Sequence, residues 1–303
     1  MAQATGIRTY LGYIAEVTPG TTPATPALTG VPRISDTLQL TKGLISDSAL
    51  RPDRMSRYLR LGNKAVGGNI SVSYAPNTFD PLLECAFRSA YATNVLKIGS
   101  VDKSVTIEIG HPDISQYRQF TGVRVNKFTL NVPSTNTLVT AELELLGENG
   151  TLSATTIDTD ATIVDAVSAQ PFVHLDATFQ EGGASIAYLT GVQVVIENNL
   201  QANYAAGSAS ARSVTAGMAK VSGQVTAYFE SNALYNKWLN ETSTSLQFVL
   251  NSGASSETWN FPNVKYTAIT MPTPGDGPII VTLSFQALYD SGSSSLCSVT
   301  RVV

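Results

Sequence analysis

The strongest constraint on this sequence is an internal repeat, because a segment of the first half returns in the second half 155 residues later (223 − 68). In residues 64–84 a glycine pair opens an alternating strand, a Pro-Asn turn closes it and a short amphipathic helix begins near Phe79. Residues 221–239 follow the same plan. Five positions match in one register: Gly68 with Gly223, Tyr74 with Phe229, Asn77 with Asn232, Phe79 with Leu234 and Leu83 with Trp238. Because five matches in a single register rarely arise by chance, the repeat predicts two copies of one β-rich unit.

The repeat resumes after the helix, where the first copy carries 14 additional residues (155 − 141). Residues 104–110 match residues 245–251 at an offset of 141 (245 − 104), and each copy ends in an alternating strand, at residues 138–145 and 279–288. Such alternation of polar and apolar residues is typical of a sheet with one packed face. The sequence therefore predicts a mainly β fold.

The length of 303 residues and the hydrophobic content of 43% fit two packed domains. We place tandem β-sandwich or barrel units at residues 1–160 and 161–303, each with a short flanking α-helix and a long hairpin loop. The Thr/Ser/Asp-rich residues 147–169 lack a strong period and predict a linker between the units.

Each unit is predicted to carry a strand followed by a long loop. Residues 37–41 and 192–196 are the strands, and residues 43–63 and 198–219 are the loops. The second loop is rich in Ala, Ser and Gly with one Arg212, whereas the first is charged and predicts a hairpin that projects from the sheet. The residues that we single out in the first loop are Leu50, Arg51, Asp53, Arg54, Arg57 and Arg60.

The termini of the units are predicted to be extended. Residues 7–16 form an extended entry, and the spaced prolines of residues 17–26 predict an arm or loop. Residues 172–179 predict a strand that opens the second unit, and residues 298–303 predict an added edge strand.

Composition excludes several classes of protein. The net charge of −4 argues against tight phosphate binding but is compatible with a conduit through which nucleic acid passes. Only 14% of the residues are charged, which suggests that copies of the chain cover part of its surface. Cys85 and Cys297 are interpreted as reduced thiols. Without an apolar run of about 18 residues or a signal peptide, we expect no membrane span and a cytosolic site of synthesis.

The sequence predicts neither an enzyme nor a metal or cofactor site. His111 and His174 lie in opposite copies, without Cys or carboxylate at ligand spacing. The glycine pair at residues 67–68 precedes a strand, which favours a bulge or close backbone approach over a phosphate site. Glu142 and Glu144 share one face of a strand, where a solvated acidic face is favoured over paired catalytic carboxylates.

Three interpretations remain open for the arginine cluster of residues 50–60. They can form a nucleic-acid patch, a contact between subunits or a solvated loop. The contact is favoured, because the planar donor groups of arginine suit carboxylates on a neighbour.

In its first third, the chain resembles the major tail tube proteins of bacteriophages with long, non-contractile tails. The residues that carry the resemblance are, in order, 16–23, 35–41, the Arg-Pro-Asp-Arg string at 51–54, the Gly-Gly strand and 79–84. The resemblance implies a β-sandwich-like unit that polymerises as stacked rings around a channel, with hexameric rings where each subunit holds one unit. Two units per chain predict a trimeric ring with pseudo-sixfold symmetry, and a hexameric ring stays an alternative.

The mechanism expected from this resemblance is structural. Neighbouring units would pair edge to edge, the two long loops and the N-terminal arm would contact adjacent rings, and the closing strands would line the channel with Thr140, Glu142, Glu144 and Ser284. The expected partners are other copies, a tape measure and a tail terminator protein. Double-stranded DNA would pass without binding, in a virion tail assembled in the host cytoplasm. The rival interpretations are a decoration or adhesin protein, or an enzyme of unrecognised type.

Overall fold

The structure, a computed structural model, describes residues 3–159, 164–165, 170–186, 189–253, 255–273 and 275–302. The first half contains η1 Gly6–Arg8, β1 Tyr10–Ala15, β2 Thr29–Gly30, β3 Arg33–Asp36, β4 Gln39–Ser46, β5 Leu59–Ser73, α1 Asp80–Phe87, β6 Val95–Lys97, β7 Val105–His111, η2 Pro112–Ile114, β8 Gln116–Val132, β9 Thr140–Gly147 and β10 Asn149–Ser153.

The second half contains β11 Val164–Asp165, η3 His174–Asp176, β12 Ala177–Glu181, β13 Ala184–Ser185, β14 Leu189–Glu197, β15 Leu200–Asn203, β16 Ser213–Ala216, β17 Lys220–Tyr228, α2 Ala233–Leu239, β18 Thr244–Ser252, β19 Ser255–Thr270, β20 Ile280–Ala287 and β21 Ser298–Val302. Apart from the parallel β2–β11 contact, the pairings between these strands are antiparallel. The predicted mainly β fold is confirmed.

The two halves pair their strands in the same order. The first half has the order β1–β7–β8–β9–β5–β4. The second has the order β12–β18–β19–β20–β17–β14. In each half the helix follows the same strand, because α1 comes after β5 and α2 comes after β17. The helix predicted near Phe79 is confirmed.

Three register shifts also fall at corresponding places in the two halves. A shift of this kind marks a β-bulge, where one strand carries an extra residue. The shifts lie between Arg33/Ser35 and Leu189/Gly191, between Val105/Ile107 and Thr244/Leu246, and between Val125/Lys127 and Tyr266/Ala268. The middle pair corrects the predicted match of residues 104–110 with 245–251, because the bulges align β7 with β18 at an offset of 139 (244 − 105).

The halves meet through a direct strand pairing that we call the internal seam, between residues 127–132 of β8 and residues 192–197 of β14. It joins both halves into one eight-stranded sheet in the order β4–β5–β9–β8–β14–β17–β20–β19. Beside the seam, the buried Asn198 amide donates to the carbonyl oxygens of Ala86 and Val125, both at 2.9 Å.

One hydrophobic core runs beneath the internal seam. Phe128 of the first half stacks on Trp259 of the second, with ring centroids 5.9 Å apart and planes 5° apart. Trp259 stacks in turn on Phe248 at 5.8 Å, and Phe87 of α1 packs against the same indole. All four side chains are fully buried, so the halves share their core.

Several predicted loops and ends are paired strands instead. Residues 10–15 form β1, which pairs with β7, and residues 149–153 of the predicted linker form β10, which pairs with β8. The predicted strand at residues 172–179 begins only at Ala177, after a short 3₁₀ helix. The C-terminal strand β21 lies between β19 and β6, so it is not an edge strand. Much of the remaining linker lies outside the described residues.

Candidate assembly surfaces

The eight-stranded sheet has one apolar, packed face and one polar face. Residues that lie opposite each other in neighbouring strands form three rows across the polar face. The rows are Ser73, Thr140, Asn131, Gln193, Gln224, Ser284 and Ala268; then Ser71, Glu142, Thr129, Val195, Ser222, Gln286 and Lys265; then Asn69, Glu144, Lys127, Glu197 and Lys220. The structure therefore brings Thr140, Glu142, Glu144 and Ser284 onto one face.

Hydroxyl and amide groups dominate this polar face. Its three rows hold three carboxylates and three lysines, and two of the carboxylates accept hydrogen bonds from neighbouring amides. Asn69 Nδ2 donates to Glu142 at 2.7 Å, and Asn126 Nδ2 donates to Glu144 at 2.8 Å. Because the carboxylates equal the lysines in number, this face has no excess of cations to attract phosphate groups.

The first long loop is a β-hairpin built by extensions of β4 and β5. Its strands remain paired as far as Ser46 and Leu59, and the tip between them is exposed. Arg51 Nη2 lies 3.0 Å from Asp53 Oδ2, and the hydrogen bond from Arg51 lowers the pKa of that carboxyl group. The other predicted contact residues of this hairpin, all exposed, are Leu50, Arg54, Arg57 and Arg60.

The hairpin also exposes apolar side chains, which the sequence interpretation did not use as evidence for a contact. The large exposed hydrophobic residues are Leu44, Ile45, Met55, Tyr58, Leu59 and Leu61, besides Leu50. Exposed apolar side chains that cluster on one hairpin are typical of surfaces that contact other proteins. The signal was present in the Leu-Arg-Leu alternation of residues 59–61, which the arginine cluster obscured.

The second long loop contains a separate hairpin, β15–β16, that lies against the first half of the same chain. The amide of Lys64 donates to the Ala209 carbonyl at 2.7 Å, and the Tyr204 hydroxyl donates to the Lys64 carbonyl at 2.8 Å. Arg212 is exposed at the connection between β15 and β16, where its amide donates to the Asn203 carbonyl at 2.8 Å.

A buried acid links the two halves behind the sheet. The Tyr74 hydroxyl donates to Glu257 Oε2 at 2.7 Å, and both side chains are almost completely buried. Desolvation raises the pKa of Glu257 to about 7, although the Tyr74 hydrogen bond opposes this shift. Because the Glu257 carboxyl group is buried away from solvent, we interpret it as a structural residue.

In the described part of the chain, no three His, Cys, Asp or Glu side chains are grouped as a metal site. His111 ends β7 and His174 begins η3, on different elements. Within the same residues, neither α1 nor α2 has the length or apolar character to cross a membrane.

Comparison with known proteins gives one family match. A family model described as phage tail tube protein matches residues 6–287, which is nearly the whole chain. A search of curated proteins returns no match.

Proposed function

Because this chain belongs to the phage tail tube protein family, we propose that it forms the hollow tail tube of a phage with a long, non-contractile tail. A member of this family is a structural protein of the virion tail, which assembles with copies of itself and with other tail proteins. In our proposal the chain stacks as rings, and phage DNA leaves the capsid through their common channel.

The ring is proposed to contain three chains, each of which holds two copies of a tube unit. The support is the pairing order that both halves follow and the internal seam that joins them edge to edge. In such a seam, the second half occupies the position that a neighbouring subunit would occupy beside the first. Three chains would therefore supply six units and pseudo-sixfold symmetry.

The polar face of the eight-stranded sheet is proposed to line the channel. Thr140 and Ser284 lie in one row of this face, and Glu142 and Glu144 lie in the two rows beside it. Hydroxyl and amide groups dominate this face, and its lysines are matched in number by carboxylates, so it would provide no strong phosphate site and DNA would slide past it. The opposite face is filled by the shared hydrophobic core.

Stacking of the rings is proposed to use the first hairpin, through Leu50, Arg51, Asp53, Arg54, Arg57 and Arg60, together with the N-terminal segment. The second loop, with Arg212, is proposed to support the same contact from its position against the first half. A tape measure protein inside the channel and a terminator protein at its end would complete the tail, after assembly in the host cytoplasm.

Negative-stain images of the purified protein at high concentration are expected to show hollow tubes with a regular ring repeat. Image averages of single rings should show three chains, with six similar lobes at low detail. Isolated particles or flat lattices would instead favour a decoration or adhesin protein. Rings of six chains would contradict the proposed trimer, and a monomer with a concave binding site would point to another class of protein.

Charge reversal at the hairpin tip is expected to block tube growth. In the Arg51→Glu/Arg54→Glu variant, both guanidinium groups are replaced by carboxylates, which would repel an acidic partner on the next ring. The measurement is tube length by negative stain, with circular dichroism to verify that the chain is folded. The matched control is Arg51→Lys/Arg54→Lys, which keeps the charge. Normal tubes from the glutamate variant would remove these arginines from the interface.

A further inference from the structure

The eight-stranded sheet ends in two edges that have no strand partner among the described residues. One edge is the outer side of residues 38–41, where β4 pairs with β5 alone and the carbonyl oxygen of Leu38, just before β4, accepts a hydrogen bond from the Arg118 side chain at 3.2 Å. The other is the outer side of residues 268–271, where β19 pairs only with β20. The side chains of Gln39, Thr41, Ala268 and Thr270 are all exposed. Unpaired edges of this kind are templates for another strand.

The internal seam provides a pattern for how these two edges can be filled. The matching bulges align β14 with β3 and β4 at an offset of 156 (189 − 33), and β19 with β8 at an offset of 141 (266 − 125). The free edge at residues 38–41 therefore corresponds to the β14 side of the seam. The free edge at residues 268–271 corresponds to its β8 side.

From this correspondence, and resting on the proposed ring, we infer that residues 38–41 of one copy pair antiparallel with residues 268–271 of a second copy. In the internal seam Val195 lies opposite Thr129 and Glu197 lies opposite Lys127. The offsets convert these pairs into Gln39 opposite Thr270 and Thr41 opposite Ala268. Leu40 then lies opposite Ile269, and Leu38 lies opposite Met271.

The chemistry of both edges fits this register. On the polar side, Gln39, Thr41 and Thr270 continue the hydroxyl and amide rows of the sheet. On the packed side, Leu40 and Ile269 are only half-buried, whereas their counterparts Ile196 and Phe128 are 0% and 1% exposed.

Met271 shows a larger difference in burial between the free edge and the internal seam. It is 40% exposed, whereas its counterpart Leu130 is fully buried. A second copy in the inferred register would bury this apolar surface, as the internal seam already does within the chain. The following Pro272 has no amide hydrogen, which limits the ladder at that end.

The two edges are different surfaces, so this contact is heterologous. Each copy offers residues 38–41 to one neighbour and residues 268–271 to the other. A heterologous contact closes into a ring when its rotation is a fraction of a full turn. The ring would then have one uninterrupted sheet, in which the internal seam alternates with the inferred one.

Disulfide trapping tests the register directly. The variant Gln39→Cys/Thr270→Cys is oxidised under conditions in which the unmodified protein assembles. Opposed residues of an antiparallel pair have Cα atoms about 4.5–5.5 Å apart, which a disulfide can bridge. Non-reducing gels should show covalent dimers and then closed rings of chains. The native Cys85 and Cys297 are buried and should stay reduced.

Three matched variants control this experiment. Thr41→Cys/Ala268→Cys keeps the inferred register and should cross-link as well. Thr37→Cys/Ala268→Cys places one cysteine at the exposed Thr37, just before β4 and four residues, about 13 Å, out of register, and should not cross-link. Thr129→Cys/Val195→Cys lies at the internal seam and should form a disulfide within one chain.

The outcomes separate the inferred contact from the tube itself. Cross-links from both in-register pairs, with none from the shifted pair, support the inferred seam. Tubes that form without these cross-links, or with the shifted one, overturn the seam and leave the tube intact. If the unmodified protein forms neither rings nor tubes at high concentration, the proposed function fails and the seam fails with it.

Discussion

The Gly68→Ala variant is expected to lose about 3 kcal/mol or more of folding free energy. Gly68 has a φ of +151°, a conformation that L side chains rarely adopt. A methyl group at this position would also lie 2.6 Å from Leu38 Cα, which is backbone between β3 and β4 and cannot move without disturbing their pairing with β5. The measurement is the denaturant midpoint of the unassembled chain, followed by tryptophan fluorescence.

The adjacent Gly67 is a close control. A methyl group there would have the Leu145 carbonyl oxygen at 3.6 Å, an ordinary contact, so Gly67→Ala should cost less than about 1 kcal/mol. Gly223→Ala should resemble Gly68→Ala, because its methyl group would lie 2.6 Å from Phe285 Cζ and against the β14 backbone. Equal midpoints for the Gly67 and Gly68 variants would contradict the steric argument.

Most of the local structure of this fold could be predicted from the sequence. Alternation located the closing strands, and the matched segment around Phe79 located α1 and, by its repeat, α2. The glycine pair indicated a close backbone approach, which the structure has at Gly68. These features depend on residues that are near in sequence, so their patterns can be recognised without knowledge of any partner.

The features that the sequence did not predict are long-range strand pairings. Alternation shows which face of a strand is buried, but it does not show which strand lies beside it. The internal seam between β8 and β14, and the insertion of β21 between β19 and β6, could therefore not be predicted. The same limit explains β10, whose Asn-Gly-Thr-Leu-Ser sequence lacks a strong strand pattern but pairs with β8.

The repeat nevertheless contained information about assembly. Matching loop lengths with different chemistry suggested one scaffold that makes two distinct contacts, but only the bulge positions fix the correspondence of the two halves to single residues. Those bulges shift the alignment of β7 with β18 by two residues relative to the sequence match. The sequence match did not reveal this shift, because the hydrophobic alternation of a strand is unchanged by a shift of two. Bulges therefore carry the register on which the inferred contact between copies depends.

The buried Glu257 is expected to make the folded chain less stable as the pH rises from about 4.5 to about 7. Burial raises the pKa of this carboxyl group from 4.5 to about 7, so the folded chain binds more protons than the unfolded chain in this interval. The free energy of unfolding should fall across it and then level off. The shift corresponds to a loss of roughly 3 kcal/mol.

The Glu257→Gln variant should remove this pH dependence. The glutamine carbonyl can still accept the hydrogen bond from Tyr74, but no charge is buried at any pH. Urea denaturation of both proteins between pH 4.5 and 8 gives the difference curve, in which the titrations of other groups cancel. The variant should be the more stable protein at pH 8 and similar to the parent near pH 4.5.

Tyr74→Phe distinguishes the two causes of the shift. The Tyr74 hydroxyl favours the charged carboxylate, so its removal should raise the pKa of Glu257 further and extend the loss of stability to higher pH. If Glu257→Gln and the parent keep parallel stability curves, the carboxyl group does not titrate in this interval.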